Sequence, residues 1–221
     1  MVHKSNARFK IIAAGIRSGK DCCCNNEFFT HLVNCANKQN SSVAHITGWI
    51  IAPTELVAQQ SWRDLKEIIS PELIADENSS DMEMKLTNGI TVKAYSSFGD
   101  IDLSKTVAVD AVIITEAARI ESLETIWKFV KKCLEYNNGI ALVNSTPFGK
   151  NYFYQMLCMG NHNHPAYDPN FESFHWTTWD NPKQSNKRYV LQPNFKTFEE
   201  NVKFKFGEKQ YLQDYMAEFL D

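Results

Sequence analysis

The stretch FKIIAAGIRSGKDCCC, residues 9 to 24, joins an apolar run, a glycine-containing turn and the start of a helical pattern. The run Phe9–Ala14 is short, apolar and followed by a turn, which predicts a buried strand. Apolar residues recur at helical spacing between Asp21 and Lys38, which predicts a helix. Residues 14 to 21 connect the two and approach the phosphate-loop pattern G-x-x-x-x-G-K-[ST].

Two positions depart from that pattern: Ala14 replaces the first glycine, and Asp21 replaces the final hydroxyl residue. Gly19 and Lys20 remain. In such a loop, backbone N–H groups and a helix N-terminus surround the phosphates, and the lysine reaches the β- and γ-phosphates. The stretch predicts either a nucleotide site or an ordinary strand-to-helix turn. The candidate phosphate-binding residues are Gly15, Ile16, Arg17, Ser18, Gly19, Lys20 and Asp21.

Length and composition favour a globular protein of one domain, or one domain with a short appendage. The chain has 221 residues, of which 43% are hydrophobic, and a formal net charge of -3. That charge gives no general attraction to nucleic acid or anionic membranes, so a DNA partner requires a local patch or a ring of subunits. The six cysteines, three of them consecutive, suit reduced thiols better than disulfides or zinc. No apolar run approaches the ~20 residues of a membrane span, and the N-terminus is no signal peptide.

Further strands and helices alternate along the chain, which predicts an α/β fold with a mainly parallel sheet flanked by helices. Asn88-Gly89 is a strong hairpin signal. The predicted elements are strands at Ser42–Ala52, Ala108–Thr115 and Gly139–Val143, helices at Glu55–Ile69, Ser122–Glu135 and Phe148–Met159, and a hairpin within Met82–Tyr95.

Two of these strands end in residues suited to nucleotide chemistry. Thr115-Glu116 follows one apolar strand, and Ser145-Thr146 follows another. In ATPases a carboxylate at such a strand end polarises the attacking water. The plain alternatives are a solvated carboxylate and a turn rich in Ser, Pro and Gly. Ligands of parallel sheets bind beyond the carboxyl ends of the strands, where all three motifs would meet.

The C-terminal part differs in character. Thr197 and Glu200 form a capping-box pattern, and apolar residues from Tyr211 to Phe219 recur at helical spacing. We expect a domain at 1–195 and a helical connector at 196–221, with a helix packed on the domain as the alternative. Cys158, His162 and His164 lack a common zinc spacing, so a solvated loop is favoured there over a metal site.

Six segments, in order along nearly the whole chain, resemble the ATPase domain of the large terminase subunit of tailed phages. They are GIRSGKD, IIAPTELVAQQSWRDL, IITEAARI, NSTPFGKNYFYQM, WTTWDNP and YLQDYMAEFLD. The resemblance implies a P-loop NTPase of the additional-strand catalytic-Glu type, which binds ATP and Mg²⁺ and translocates double-stranded DNA into procapsids. It implies catalytic roles for Glu116, Arg17 and Lys20, and a coupling role for Ser145 and Thr146.

The resemblance also implies partners and a location. We expect a portal protein, a small terminase subunit and a homo-oligomeric ring during packaging, with a monomer as the alternative in isolation. We expect no membrane partner and no secretion, and action in the cytoplasm of the infected host. The connector would lead to a nuclease domain that this chain lacks, so nuclease activity is not expected. The alternatives are a helicase-like translocase and an assembly module that binds nucleotide without hydrolysis.

The sequence departs from the family at informative positions. Terminases pair a Ser or Thr after the loop lysine with an Asp before the catalytic Glu, whereas this chain has Asp21 and Thr115. We hypothesise that the two residue types have exchanged places, so that both serve the Mg²⁺ site. The alternative is two independent losses in a decayed enzyme. Lys105 stands where a trans-acting arginine is expected, and Arg119 is a second candidate for that role. The segment that would contact adenine, upstream of Phe9, is expected to be short or absent.

Overall fold

The computed structural model describes residues 2–38, 45–97, 107–185 and 197–221. These residues form one eight-stranded sheet with flanking helices. The strands are β1 (Phe9–Ala14), β2 (Ile46–Ala52), β3 (Ile74–Asn78), β4 (Glu83–Leu86), β5 (Ile90–Ser96), β6 (Ala111–Ile114), β7 (Ile140–Ser145) and β8 (Phe171–Trp176). The α-helices are α1 (Lys20–Lys38), α2 (Glu55–Lys66), α3 (Leu123–Glu135), α4 (Tyr152–Met159), α5 (Pro182–Ser185), α6 (Phe198–Phe206) and α7 (Glu208–Asp214).

The strand order is β3-β4-β5-β2-β6-β7-β1-β8. Every neighbouring pair from β5 to β8 is parallel, and only the β3–β4 and β4–β5 pairs are antiparallel. The prediction of a mainly parallel α/β sheet is therefore confirmed. β7 lies between β1, which leads into the phosphate loop, and β6, which leads to Glu116. This additional strand brings three carboxyl ends side by side.

The central strands are buried because helices cover both faces of the sheet. All residues of β1 and β6 are buried, as expected for parallel strands between helical layers. α1 and α2 pack on one face through Phe28 and Trp62, while α3 and α4 pack on the other through Trp127 and Phe153. The sheet is thus held rigidly behind the strand ends.

The predicted hairpin is confirmed, with β4 and β5 antiparallel and Gly89 at a φ of +82°. Several predicted boundaries are wrong. α2 ends at Lys66 rather than Ile69, because the last residues before Pro71 tighten into i→i−3 turns. α4 begins at Tyr152 rather than Phe148, because Pro147 and Gly149 (φ +63°) hold the chain in a turn before the cap.

The C-terminal helical stripe is shorter than predicted. α6 begins at Phe198, after the predicted capping box of Thr197 and Glu200. α7 ends at Asp214, and Ala217 has a φ of +58° that stops any helix. β3 and β8 were not predicted. The predicted strand start at Ser42 and the domain boundary at 195/196 lie outside the described residues.

No helix among the described residues is long and apolar enough to cross a membrane. All six cysteines are free thiols, which agrees with the sequence prediction.

Candidate nucleotide-binding site

The phosphate loop, residues 15 to 19, turns sharply between β1 and α1. Gly19 has a φ of +90°, and Arg17 has a φ of +54°. Glycine adopts this region freely, whereas a non-glycine residue there is strained by about 1–3 kcal/mol. Such strain concentrates at functional sites. The Arg17 side chain is exposed, while Ser18 is buried and its hydroxyl oxygen has no hydrogen-bond partner among the described residues.

Three amides of the loop already donate within the chain, and one of them is Ser18 N–H, which donates to the Gly15 carbonyl at 3.3 Å. Gly15 N–H donates to the Trp176 carbonyl at 3.1 Å, and Ile16 N–H donates to the Asp214 carbonyl at 2.7 Å. The first N–H groups of a helix have no intrahelical acceptor. Of the predicted phosphate-binding residues, the amides of Arg17, Gly19, Lys20 and Asp21 are therefore favoured over those of Gly15, Ile16 and Ser18.

Two side chains hold the loop from outside. The Thr178 hydroxyl donates to the Ile16 carbonyl at 2.7 Å, and the Asn181 amide donates to the Arg17 carbonyl at 3.0 Å. Both belong to the WTTWDNP segment, which the sequence linked to the site only by resemblance. Sequence reasoning missed them as loop-positioning residues, and the one available signal was the turn-forming Asp-Asn-Pro.

Lys20 lies at the centre of the site. Its side chain is 5% exposed, and its Nζ is 3.0 Å from Glu116 Oε1 and 3.6 Å from Asp21 Oδ2. Burial alone would lower the pKa of Lys20, but the carboxylates of Asp21 and Glu116 outweigh it and raise the pKa above 10.5. Lys20 therefore remains a cation at any physiological pH. An anionic ligand near it would compete with the two carboxylates.

Asp21 and Thr115 are brought together across 94 residues of sequence. The Thr115 hydroxyl lies 3.4 Å from Asp21 Oδ1 and 3.4 Å from Asn144 Oδ1. Thr115 is buried, whereas the Asp21 side chain is 49% exposed. A carboxylate that is open to solvent and a hydroxyl beside it suit Mg²⁺, which binds through one or two carboxylates and retains waters. The donor set fits the predicted metal.

Glu116 stands at the end of β6 in a left-handed conformation, with a φ of 48°. The Ser145 hydroxyl lies 3.4 Å from its Oε2, although the same hydroxyl is only 2.8 Å from the Thr146 carbonyl. A hydroxyl has one proton, and the shorter bond is the stronger. Ser145 thus touches Glu116 while donating mainly to the backbone. The two predicted coupling residues, Ser145 and Thr146, are both buried.

The turn after β7 is tied to the turn after β6. Asn151, which caps α4, donates its amide to the Ala118 carbonyl at 2.7 Å. Arg119 stacks over the Phe148 ring, with 4.5 Å from Cζ to the ring centroid. A shift of either turn would therefore move the other.

Two clefts flank the phosphate loop. One, of about 430 Å³, is lined by Asp21, Thr115 and Glu116 together with α2 residues that include Arg63. The other, of about 580 Å³, is lined by Ser18 and Cys23 of the α1 side, the end of β8, and the N-terminal residues Val2 and His3. The loop thus separates a carboxylate-lined cleft from a more aromatic one.

Other candidate sites are weaker. Among the described residues no group of three or more His, Cys, Asp or Glu side chains could hold a metal ion, and this includes Cys158, His162 and His164. Lys105, the residue at the position expected for a trans-acting arginine, lies outside the described residues. A Mg²⁺ site of the ATPase kind needs fewer protein ligands than that, because nucleotide phosphates supply the rest.

The strand order and the loop define the class of fold. A strand–loop–helix with Gly19-Lys20, an inserted strand β7 and a glutamate at the end of β6 make this a P-loop NTPase fold of the additional-strand type. The fold predicted from the sequence is confirmed.

Comparison with known proteins shows similarity to terminase large subunits. The chain is 24% identical to the terminase large subunit of Thermus virus P23-45, over 99% of this chain and 47% of the relative. The solved ATPase domain of the Thermus phage P74-26 large terminase matches with a TM-score of 0.77 at 23% identity, over 99% of this chain and 91% of that one. The resemblance to terminase large subunits is thereby confirmed.

A third comparison concerns a nucleotide complex. The large terminase of a thermophilic bacteriophage, solved in complex with ADP, matches with a TM-score of 0.68 at 15% identity, over 97% of this chain and 49% of that one. No family model matches the chain. The chain spans about half the length of the curated relatives it matches.

Proposed function

We propose that this chain is a Mg²⁺-dependent ATPase that acts as the motor part of a terminase large subunit. The observation that best supports the proposal is the position of Lys20, whose ammonium lies 3.0 Å from Glu116 and 3.6 Å from Asp21. The phosphate loop, the metal-side carboxylate of Asp21 and the water-orienting carboxylate of Glu116 then surround the Lys20 ammonium. An ordinary strand-to-helix turn would not need a buried lysine there.

The residues divide the work as follows. The amides of Arg17, Gly19, Lys20 and Asp21 and the Lys20 ammonium would hold the phosphates. The Arg17 guanidinium would neutralise charge that develops on transfer. Glu116 would orient and polarise the attacking water. Ser145 touches Glu116, and Thr146 follows it at the strand end, so both are placed to report the state of the phosphates to the turn that Asn151 joins.

Asp21 and Thr115 would hold Mg²⁺ between them. A bound Mg²⁺ neutralises phosphate charge and draws electrons from the transferring group. Asp21 supplies a carboxylate from the first turn of α1, directly or through water, and Thr115 orients it from β6. The family arrangement has the carboxylate on the strand and the hydroxyl on the helix. The exchange of residue types would keep one carboxylate and one hydroxyl beside the metal.

The nucleoside would enter the 580 Å³ cleft on the β8 side of the loop. The carboxylates of the proposed Mg²⁺ site line the other cleft. The γ-phosphate would therefore point toward that cleft, and the base would point away from it. Although few residues precede β1, Val2–Lys4 forms a 3-10 turn whose Val2 is buried and whose His3 lines this cleft. Ser18 lines the same cleft.

At the level of the whole assembly, hydrolysis would drive double-stranded DNA into a procapsid. By resemblance, the partners are a portal protein, a small terminase subunit and further copies of this chain in a ring, all in the host cytoplasm. Residues 196–221 would act as the connector from the ATPase domain toward a nuclease domain. The net charge of -3 means that DNA would be met by local patches within the ring.

Steady-state ATP hydrolysis in Mg²⁺ and in EDTA tests the enzyme assignment, with Glu116→Gln as the inactive variant. We expect the wild type to hydrolyse ATP in Mg²⁺ only, and Glu116→Gln to lose about 100-fold or more, since it keeps the shape but not the charge. Glu121→Gln, an exposed carboxylate nearby, is the matched control and should match the wild type. A wild type no faster than Glu116→Gln would leave a binding module without hydrolysis.

Procapsids and strand separation then distinguish the two motor functions. A packaging ATPase should be stimulated by procapsids that carry a portal. A helicase-like translocase should instead separate a duplex under the same conditions, and that outcome would overturn the packaging assignment.

A further inference from the structure

Asn144 is a buried amide in the middle of the site, at the start of the NSTPFG segment, and has no role assigned so far. It lies on β7, is 1% exposed, and pairs in register with Ile12 of β1. On its other side, Val143 pairs with Ile114 of β6, so Asn144 comes level with Thr115. An amide inside an otherwise apolar strand needs partners, because buried polar groups are nearly always hydrogen-bonded.

The partners of Asn144 are incomplete. Its Oδ1 lies 3.4 Å from the Thr115 hydroxyl, but its Nδ2 has no partner of normal geometry among the described residues. The buried thiol of Cys24 lies against the same amide, and sulfur is a weak acceptor. The one strong polar neighbour that Asn144 has in the described chain is therefore Thr115.

Thr115 has two acceptors at equal distance and one proton to donate. Asn144 Oδ1 and Asp21 Oδ1 are each 3.4 Å from its hydroxyl. If the proton goes to Asn144, the Asp21 carboxylate keeps all its lone pairs and Thr115 offers its own. If the Asn144 amide turns and donates through Nδ2, the Thr115 proton goes to Asp21 instead. The amide of Asn144 therefore decides whether Asp21 is occupied or free.

We propose that Asn144 is the positioning residue that orients the Thr115 hydroxyl, and through it frees the Asp21 carboxylate for a divalent cation. The inference rests on the proposed function and deepens it. Asn144 touches neither nucleotide nor metal, and it acts through Thr115. It also explains how a carboxylate on α1 and a hydroxyl on β6 can serve a site whose residue types are exchanged.

The test measures metal-dependent binding rather than turnover. The affinity of a non-hydrolysable ATP analogue is determined by calorimetry, once in Mg²⁺ and once in EDTA. We expect Asn144→Leu to reduce the gain in affinity that Mg²⁺ provides by about tenfold, the usual effect of losing a group that orients a metal ligand. Its affinity in EDTA should equal that of the wild type, since the phosphate loop is untouched.

Three controls keep the result interpretable. Asn201→Leu removes another buried asparagine with an unpartnered atom, on α6, and should leave the Mg²⁺ gain unchanged. Thermal unfolding shows whether the Asn144→Leu variant is folded. If that variant does not fold, Asn144→Ser is used in its place, because the serine hydroxyl is too short to reach Thr115. Thr115→Val should lose the same gain, and adding Asn144→Leu to it should cost nothing more, because coupled residues are non-additive.

An unchanged Mg²⁺ gain in Asn144→Leu, or an equal loss in Mg²⁺ and EDTA, would overturn the inference while leaving the ATPase assignment intact. A wild type that neither gains affinity from Mg²⁺ nor hydrolyses ATP would instead overturn the proposed function, and the role of Asn144 with it.

Discussion

The phosphate loop is bordered by two flanks of different chemistry. On the β7 and β6 side lies the carboxylate flank, formed by Asp21, Thr115 and Glu116. On the β8 side lies the aromatic flank, formed by Trp176, Trp179, Phe198, Tyr211 and Tyr215. The first flank presents charge to the loop, and the second holds the loop in place through backbone carbonyls at Trp176 and Asp214.

The aromatic flank is a stacked unit rather than a set of surface residues. The rings of Trp179 and Tyr215 stack at 6.0 Å between centroids, and Tyr211 stacks on Tyr215 at 5.5 Å. Trp179 also donates its indole N–H to the Tyr211 hydroxyl at 3.1 Å. This packing fixes the segment whose Tyr215 carbonyl accepts from Thr178 N–H, and Thr178 in turn holds Ile16. The carboxylate flank and the aromatic flank that holds the loop thus lie on opposite sides of the phosphate loop.

The largest effect should come from removing the cation that joins the loop to the carboxylate flank. Lys20→Met should lower kcat/KM for ATP by about 100-fold or more, because a preorganised charge on the phosphates is lost and Asp21 and Glu116 repel each other. Steady-state hydrolysis measures it. Lys128→Met, which removes an exposed lysine paired with Glu124 on α3, should have no effect. Equal rates for both variants would show that the site is misassigned.

On the aromatic flank, Gly15→Ala should destabilise the fold. A Cβ at Gly15 would lie 2.5 Å from the Tyr215 carbonyl oxygen and 2.6 Å from Thr178 Oγ1. Forcing these atoms apart should reduce the free energy of unfolding by about 1–3 kcal/mol, measured by urea denaturation with tryptophan fluorescence.

Gly149→Ala separates steric from conformational effects. Nothing lies within 4 Å of a Cβ there, but its φ is +63°. Only backbone strain of about 1 kcal/mol should result. If Gly15→Ala reduced the free energy of unfolding no more than Gly149→Ala does, the segment around Tyr215 would not be in close contact with the phosphate loop.

The smallest effect concerns the N-terminal turn that lines the nucleoside cleft. Glu27 of α1 accepts from the buried Lys10 ammonium and pairs with His3 Nδ1 at 2.7 Å. Burial raises the pKa of Glu27, but the hydrogen bonds from Lys10 and His3 outweigh burial and lower the pKa below 4.5. Ionised Glu27 therefore stabilises the fold at pH values above its pKa in the unfolded state. This stabilisation is lost as the pH falls through its lower pKa in the folded state.

Glu27→Gln should reduce the free energy of unfolding at pH 7 by about 1 kcal/mol at most, because solvent screens a partly exposed group. The difference from wild type should shrink as the pH falls below about 4.5, where Glu27 gains its proton. Urea denaturation across pH measures it. A difference that grows on acidification would contradict the assigned direction.

The two flanks also differ in how far the sequence predicts them. The carboxylate flank follows contiguous apolar runs that end in polar residues. The sequence therefore predicts β1, β6 and β7 and the residues that follow them. β8 has the mixed sequence FESFHW at the edge of the sheet, and β3 is the largely exposed IADEN, so neither has a clear period. The end of α7 depends on tertiary contacts of the tail rather than on its helical spacing.

Within the site, residue types were predictable but conformations were not. Lys20, Asp21, Thr115 and Glu116 were identified from motifs, and the structure brings them together. The positive φ angles of Arg17 and Glu116 leave no mark in the sequence. Asn144 reads as one more residue before a turn, since only the pairing of β6, β7 and β1 reveals what it faces.

The exchange of Asp21 and Thr115 is the central claim, and hydrolysis rates in Mg²⁺ of three variants test it most directly. Asp21→Ser removes the metal-side carboxylate, and Thr115→Asp places a second carboxylate beside the first. Each alone should lower the rate by about 10–100-fold, the usual effect of disturbing the groups around a metal. The double variant restores the family arrangement and should be at least about tenfold faster than either single variant. A double variant no faster than the singles would contradict the exchange.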